Sequence, residues 1–72
     1  MEYTIEKKIG AIGEPTNSGW VKELNKVSWN GREAKLDIRE WSPEHDKMGK
    51  GTTLTESEAR RLLALLQEYF AE

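Results

Sequence analysis

The sequence predicts an α+β chain in which four antiparallel strands precede one C-terminal helix, ββββα. Three observations carry that reading. Lys35-Leu36-Asp37-Ile38-Arg39-Glu40-Trp41 alternates apolar and polar side chains with the two-residue period of a strand. Asn30-Gly31, a strong hairpin signal, separates this run from an earlier one of similar length. From Thr55 onward the apolar residues fall at helical spacing behind a capping box.

Taken in order, Tyr3, Ile5, Ile9, Ala11 and Ile12 give a first strand interrupted by Gly10 and Gly13. Glu14-Pro15-Thr16-Asn17-Ser18-Gly19 closes it, because each of these types favours turns or ends extended pairing. The second strand runs from Trp20 to Trp29 and the third reaches Trp41, where Ser42-Pro43 stops it. A polar loop over Pro43 to Gly49 leads to a short, threonine-rich fourth strand, Lys50 to Leu54. Gly49 and Gly51 flank Lys50 and leave room for close approach of a backbone or ligand. In the helix, Thr55 stands as N-cap with Glu58 reaching back, and Ala59, Leu62, Leu63, Leu66, Tyr69 and Phe70 form the apolar stripe, widened by Leu65.

Two registers compete between the second and third strands. A two-residue Asn30-Gly31 loop pairs Trp29 with Arg32 and sets Glu23 beside Ile38. A three-residue loop pairs Trp29 with Glu33, Glu23 with Arg39 and Leu24 with Ile38, so that apolar meets apolar and opposite charges meet. The odd-length loop is the better fit. It places Trp29 on the face of Lys35, Arg39 and Trp41, while Lys22 and Lys26 reach around from the opposite face on their aliphatic stems.

Residues 1–72 read as a single domain, and a chain this short buries only about 60% of its unfolded surface, so oligomerisation is a common supplement. The helical stripe is wider than one small sheet needs, which predicts a homodimer through Leu62, Leu63, Leu66, Tyr69 and Phe70. A helix wholly covered within one chain is the other way to use that stripe. The absence of cysteine excludes disulfides and thiolate metal sites. No apolar run of signal-peptide or membrane-spanning length is present, so a cytoplasmic protein without a membrane partner is expected. Net charge is −2, which argues against attraction to nucleic acid by bulk charge. The acidic excess lies in the terminal segments, and the middle of the chain is near balance.

The third strand nonetheless combines cations and an aromatic ring on the side opposite Leu36 and Ile38. A nucleic acid strand with unpaired bases needs both, charge for its phosphates and flat rings for stacking. Trp29 and Trp41 are the candidate platforms, and Trp20 is the tryptophan expected to pack structurally. Each candidate has a plainer use: a core position for either tryptophan, or a cross-strand pair with Glu23 for Arg39.

Leu36-Asp37-Ile38-Arg39-Glu40-Trp41, the following loop, Lys50-Gly51-Thr52-Thr53-Leu54 and the terminal amphipathic helix together resemble the transcriptional coactivator positive cofactor four family. Trp20 through Leu54 is most similar to its small bacterial YdbC-type members. The resemblance implies a homodimer of strongly curved four-stranded sheets backed by paired helices, binding single-stranded DNA with little sequence preference. Carried over by position, the sheet aromatics match Trp29 and Trp41, and the phosphate-contacting residues match Arg39 and Lys50. Arg32 matches less well because the hairpin differs in length, and Lys22, Lys26 and Lys35 are further candidates from charge alone. The chain lacks the serine- and lysine-rich tail of eukaryotic members, which puts a coactivator role in doubt and leaves the DNA-binding core.

Catalysis finds little in the sequence to use. His45, the single histidine, sits between Glu44 and Asp46 without a partner nucleophile, and a solvated loop histidine is the default. Those three adjacent residues are not spaced to converge on a metal, and no glycine-rich phosphate cradle opens the helix, so neither catalytic nor metal residues nor a cofactor are expected. The expected function is a non-catalytic, nucleoid-associated binder of single-stranded DNA serving transcription, replication or repair. Single-stranded RNA as ligand and a protein-interaction module remain the alternatives.

Overall fold

The computed structural model describes residues 2–71. Four strands, β1 (Tyr3–Ala11), β2 (Val21–Trp29), β3 (Lys35–Trp41) and β4 (Met48–Leu54), form one antiparallel sheet in chain order, and helix α1 (Glu56–Phe70) follows. The sheet is open and curved. β1 and β4 are its free edges.

β2 and β3 pair in the odd register, Glu23 opposite Arg39 and Leu24 opposite Ile38. The connection combines features of both sequence alternatives. Asn30 (φ 54°) and Gly31 (φ 75°) adopt the left-handed pair that a tight Asn-Gly turn uses, and the Arg32 amide donates to the Trp29 carbonyl at 3.0 Å. The ladder resumes only at Val27–Lys35, so residues 32–34 absorb the offset and lengthen the predicted three-residue loop. The Ser28 hydroxyl donates to the Arg32 carbonyl and steadies this extension.

Two further sequence expectations change and a third is made specific. β1 runs unbroken through Gly10, its irregularity taking the form of register shifts against β2 between Ile5 and Lys7 and between Lys8 and Gly10. β4 begins at Met48, two residues before the predicted start, because Met48 pairs with Trp41 across a bulge. Gly51 lies directly opposite Arg39, and a Cβ there would collide with the Arg39 Cβ and the Ile38 carbonyl, so it is a backbone that the small residue admits.

Helix α1 starts as predicted. The Thr55 hydroxyl accepts from the Glu58 amide at 3.2 Å, and the Glu58 carboxylate accepts from the Thr55 amide at 2.8 Å. The helix meets only β3 and β4, and none of its residues is buried. Between Leu24, Leu36 and Ile38 of the sheet and Leu62, Leu63 and Leu66 of the helix lies an open apolar trough of about 540 Å³. Tyr69 and Phe70 pack edge to face on each other at 4.9 Å beyond it, exposed.

Candidate nucleic-acid interface

The opposite face, turned away from the helix, holds the largest fully buried side chains among the described residues. Strand alternation and the β2–β3 register bring Asn25, Val27 and Trp29 of β2 together with Asp37, Arg39 and Trp41 of β3. Tyr3 and Ile5 join them from β1, opposite Trp29 and Val27. Val27, Asp37 and Trp41 are 0% exposed. No helix covers this face, so the seal comes from the curl of the sheet, its large rings and the β3–β4 loop.

Trp41 is therefore not the exposed platform that its position in the strand suggested. Its ring lies 5.2 Å from Tyr3, 6.3 Å from and nearly parallel to Trp29, and 5.7 Å from His45, and this ring of neighbours removes it from solvent. Its indole Nε1–H has no hydrogen-bond acceptor among the described residues. A buried, unpaired donor costs roughly 1–3 kcal/mol, and the aromatic packing must outweigh it. Trp20, expected to be the structural tryptophan, is only half-buried at the entry to β2.

Trp29 is half-buried at the hairpin end of the cluster. Its Nε1–H donates to Asp37 Oδ2 at 3.3 Å, and the Arg39 guanidinium lies over its ring, 4.4 Å from the ring centre. Arg39 in turn donates from Nε to Asp37 Oδ1 and from Nη2 to Asp37 Oδ2, each at 2.7 Å, and from Nη1 to the Gly49 carbonyl at 3.3 Å. A bidentate arginine–carboxylate pair is among the stronger side-chain interactions, and a cation over an indole adds attraction from the ring quadrupole. Arg39 thus stands opposite Glu23 in the ladder but spends its charge on Asp37.

Glu23 binds His45 instead. His45 Nε2 lies 3.0 Å from both Glu23 oxygens, and the Asn25 side-chain amide donates to Glu23 Oε1 at 3.0 Å. Burial pushes the Glu23 carboxyl up, but the hydrogen bonds from Asn25 and His45 and the charges of His45 and Lys8 outweigh it and hold the group below its ordinary value. The Tyr3 hydroxyl donates to the His45 carbonyl, and His45 takes a left-handed backbone (φ 61°). The loop is pinned further by Ser42, whose hydroxyl donates to Asp46 Oδ1 at 2.8 Å and accepts from the Lys47 amide at 3.0 Å. The Ser42 hydrogen bond holds the Asp46 carboxyl below its ordinary value, helped by its own backbone amide and by Lys47 against a small opposing burial. His45 is consequently a clasp on the aromatic cluster rather than a solvated loop histidine.

The cations divide between the faces. Lys35 shares the face of Trp29 and Arg39 at its hairpin end, and Arg32 is exposed in the turn. Lys22 and Lys26 lie on the helix side, exposed, as their register positions required. Lys50 is exposed on edge strand β4, where it shares a shallow hollow of about 400 Å³ with Lys22, Glu40 and Thr52. Sequence reasoning missed Lys8, which the β1 register shift brings opposite Asn25 and near Glu23. A bulge of that kind leaves no pattern in a strand that is already irregular.

A curved ββββα sheet with an aromatic, charge-locked cluster on one face and an unfilled apolar trough under its helix defines the class. The chain belongs to the family described as Transcriptional Coactivator p15 (PC4), whose family model matches residues 16–65. It is also 48% identical over 66 residues to an uncharacterized protein of Treponema pallidum (strain Nichols), a match covering 92% of this chain and 76% of that one. Among the described residues no helix is long and apolar enough to cross a membrane.

Proposed function

We propose that this protein is a non-catalytic, homodimeric binder of single-stranded DNA that stacks bases on the layered Arg39–Trp29 pair and tracks phosphates with the surrounding cations. The observation that carries the reading is the half-buried Trp29, fixed by Asp37 and overlaid by Arg39, at the hairpin end of a curved sheet in a member of the p15 (PC4) family. Stacking tolerates any base because each offers a π face, and a duplex withholds those faces. Trp41 serves this site from beneath, as the buried ring that supports Trp29. Lys35 and Arg32 beside the tryptophan supply the phosphate contacts, with Lys50, Lys22 and Lys26, on the helix side, available to a strand that wraps the sheet edge. The apolar trough supports the homodimer, since a second copy would remove Leu62, Leu63 and Leu66 from water.

Tryptophan fluorescence titrated with single-stranded DNA, duplex DNA and RNA of equal length tests the reading. Single-stranded DNA is expected to quench and to bind more tightly than duplex, and Trp29→Ala to weaken binding by about 1–3 kcal/mol with its salt dependence unchanged. Equal affinity for duplex would replace stacking with simple phosphate attraction. Tighter binding of RNA would reassign the ligand.

A further inference from the structure

We infer that Asp37 is a positioning residue that converts Arg39 from a phosphate ligand into a charge-compensated, flat surface for a nucleobase; this rests on the single-strand reading above. Three of the five guanidinium donors point to fixed acceptors, two on Asp37 and one on Gly49. The Nε/Nη2 edge, one of those with which an arginine forks a phosphate, is fully used by Asp37. Releasing it would strand a carboxylate that is 0% exposed, and uncoupling a buried pair in that way is strongly destabilising.

The same lock fixes the plane of the group. With both ends of its Nε/Nη2 edge held and its carbon 4.4 Å above the Trp29 ring, Arg39 cannot swing out to follow a phosphate. Besides one remaining N–H each on Nη1 and Nη2, it offers its planar surface, backed by indole, and guanidinium planes stack on unpaired bases as aromatic rings do. Asp37 also holds the indole through Trp29 Nε1, so one buried carboxylate aligns both layers. In this arrangement the free lysines carry the salt-dependent part of binding, and Arg39 contributes to the salt-independent part despite its formal charge.

Two measurements test this separately from the ligand assignment. In the free protein, NMR should find the Arg39 Nε–H and the Trp29 indole N–H protected from solvent exchange; an Arg39 Nε–H exchanging like that of an exposed arginine overturns the lock whether or not DNA binds. Binding of an oligothymidylate and of an abasic strand of equal length is then measured across salt concentrations for the parent, Arg39→Lys, Arg39→Ala and Asp37→Asn. Arg39→Lys and Arg39→Ala should each lose roughly 5- to 150-fold on the oligothymidylate with unchanged salt slope, and lose little on the abasic strand. Asp37→Asn, if it folds, should steepen the slope by about 0.7 as the arginine charge is released. An Arg39→Lys variant that binds like the parent, or an Arg39→Ala variant whose slope flattens by about 0.7, makes Arg39 a phosphate contact and overturns the proposal. If the parent binds neither strand, the nucleobase role falls with the single-strand reading, even where exchange finds the arginine locked.

Discussion

The two faces of the sheet invert the usual arrangement of a sheet backed by a helix. On the face without a helix, Val27, Asp37 and Trp41 are fully buried, and their neighbours are joined by hydrogen bonds and ring contacts. Beneath the helix, Leu63 is 56% exposed and Leu66 45%, and the space between helix and sheet stays open. One chain therefore completes its polar, aromatic face and leaves its aliphatic face unfinished. The hydrophobic effect is indifferent to which chain supplies the covering surface, whereas a bidentate ion pair needs its partners placed to within tenths of an ångström. The face that demands geometry is built locally, and the face that demands only area is left open.

The largest expected effect follows from the completed face. Trp41→Ala should cost about 3–5 kcal/mol in urea denaturation, because it removes the ring on which Tyr3, Trp29 and His45 rest and opens a cavity. Much of a domain this small would then be unfolded. Leu63→Ala, measured alongside at a protein concentration low enough to dissociate a dimer, should cost less, since its side chain in the single chain is already half in water. Equal costs for the two would mean that the faces do not differ as described.

Next in size is the effect on the unfinished face. The parent should sediment as a dimer, with a melting temperature that rises with protein concentration. Leu63→Glu should sediment as an 8.3 kDa monomer and lose that concentration dependence, because a charge would be buried unpaired in the trough. A parent that is monomeric at micromolar concentration would leave the trough without its proposed occupant.

Much of this division was legible in the sequence, and its limits have physical causes. The helix was readable to the residue because Thr55 and Glu58 form a local motif whose partners are three positions apart. The odd register was readable because a one-residue slip would have set Glu23 against Ile38. Which side of β3 was covered was not readable. Alternation separates Trp41 from Ile38 without saying which is buried, and the seal over Trp41 depends on Tyr3, 38 positions away, and on a histidine in a left-handed loop conformation. The Asp37–Arg39 pair escaped notice for a related reason. Residues two apart on a strand share a face but stand well apart along it, so a bidentate contact appears only when other groups, here the Trp29 ring and the Gly49 carbonyl, confine the arginine.

The smallest effect belongs to the clasp between the completed face and its loop. Glu23→Gln removes the carboxylate that His45 Nε2 faces at 3.0 Å and should cost on the order of 1 kcal/mol near neutrality, the value of one net hydrogen bond. Because the Glu23 carboxyl is held below its ordinary value of 4.5 in the folded protein, its contribution is present in full above that value and is lost as pH falls through the lower folded one. The parent should therefore be steady in this respect down to about pH 5 and lose stability below it, and the difference between parent and Glu23→Gln should shrink progressively as pH falls below 4.5. Asp46, lowered in the same direction by Ser42, contributes acid sensitivity of its own that the substitution leaves in place. Paired urea titrations near neutrality and at about pH 3, read by tryptophan fluorescence, separate the two. A Glu23→Gln protein as stable as the parent near neutrality, with no change in Trp41 emission, would show that the sheet seals this face without the loop.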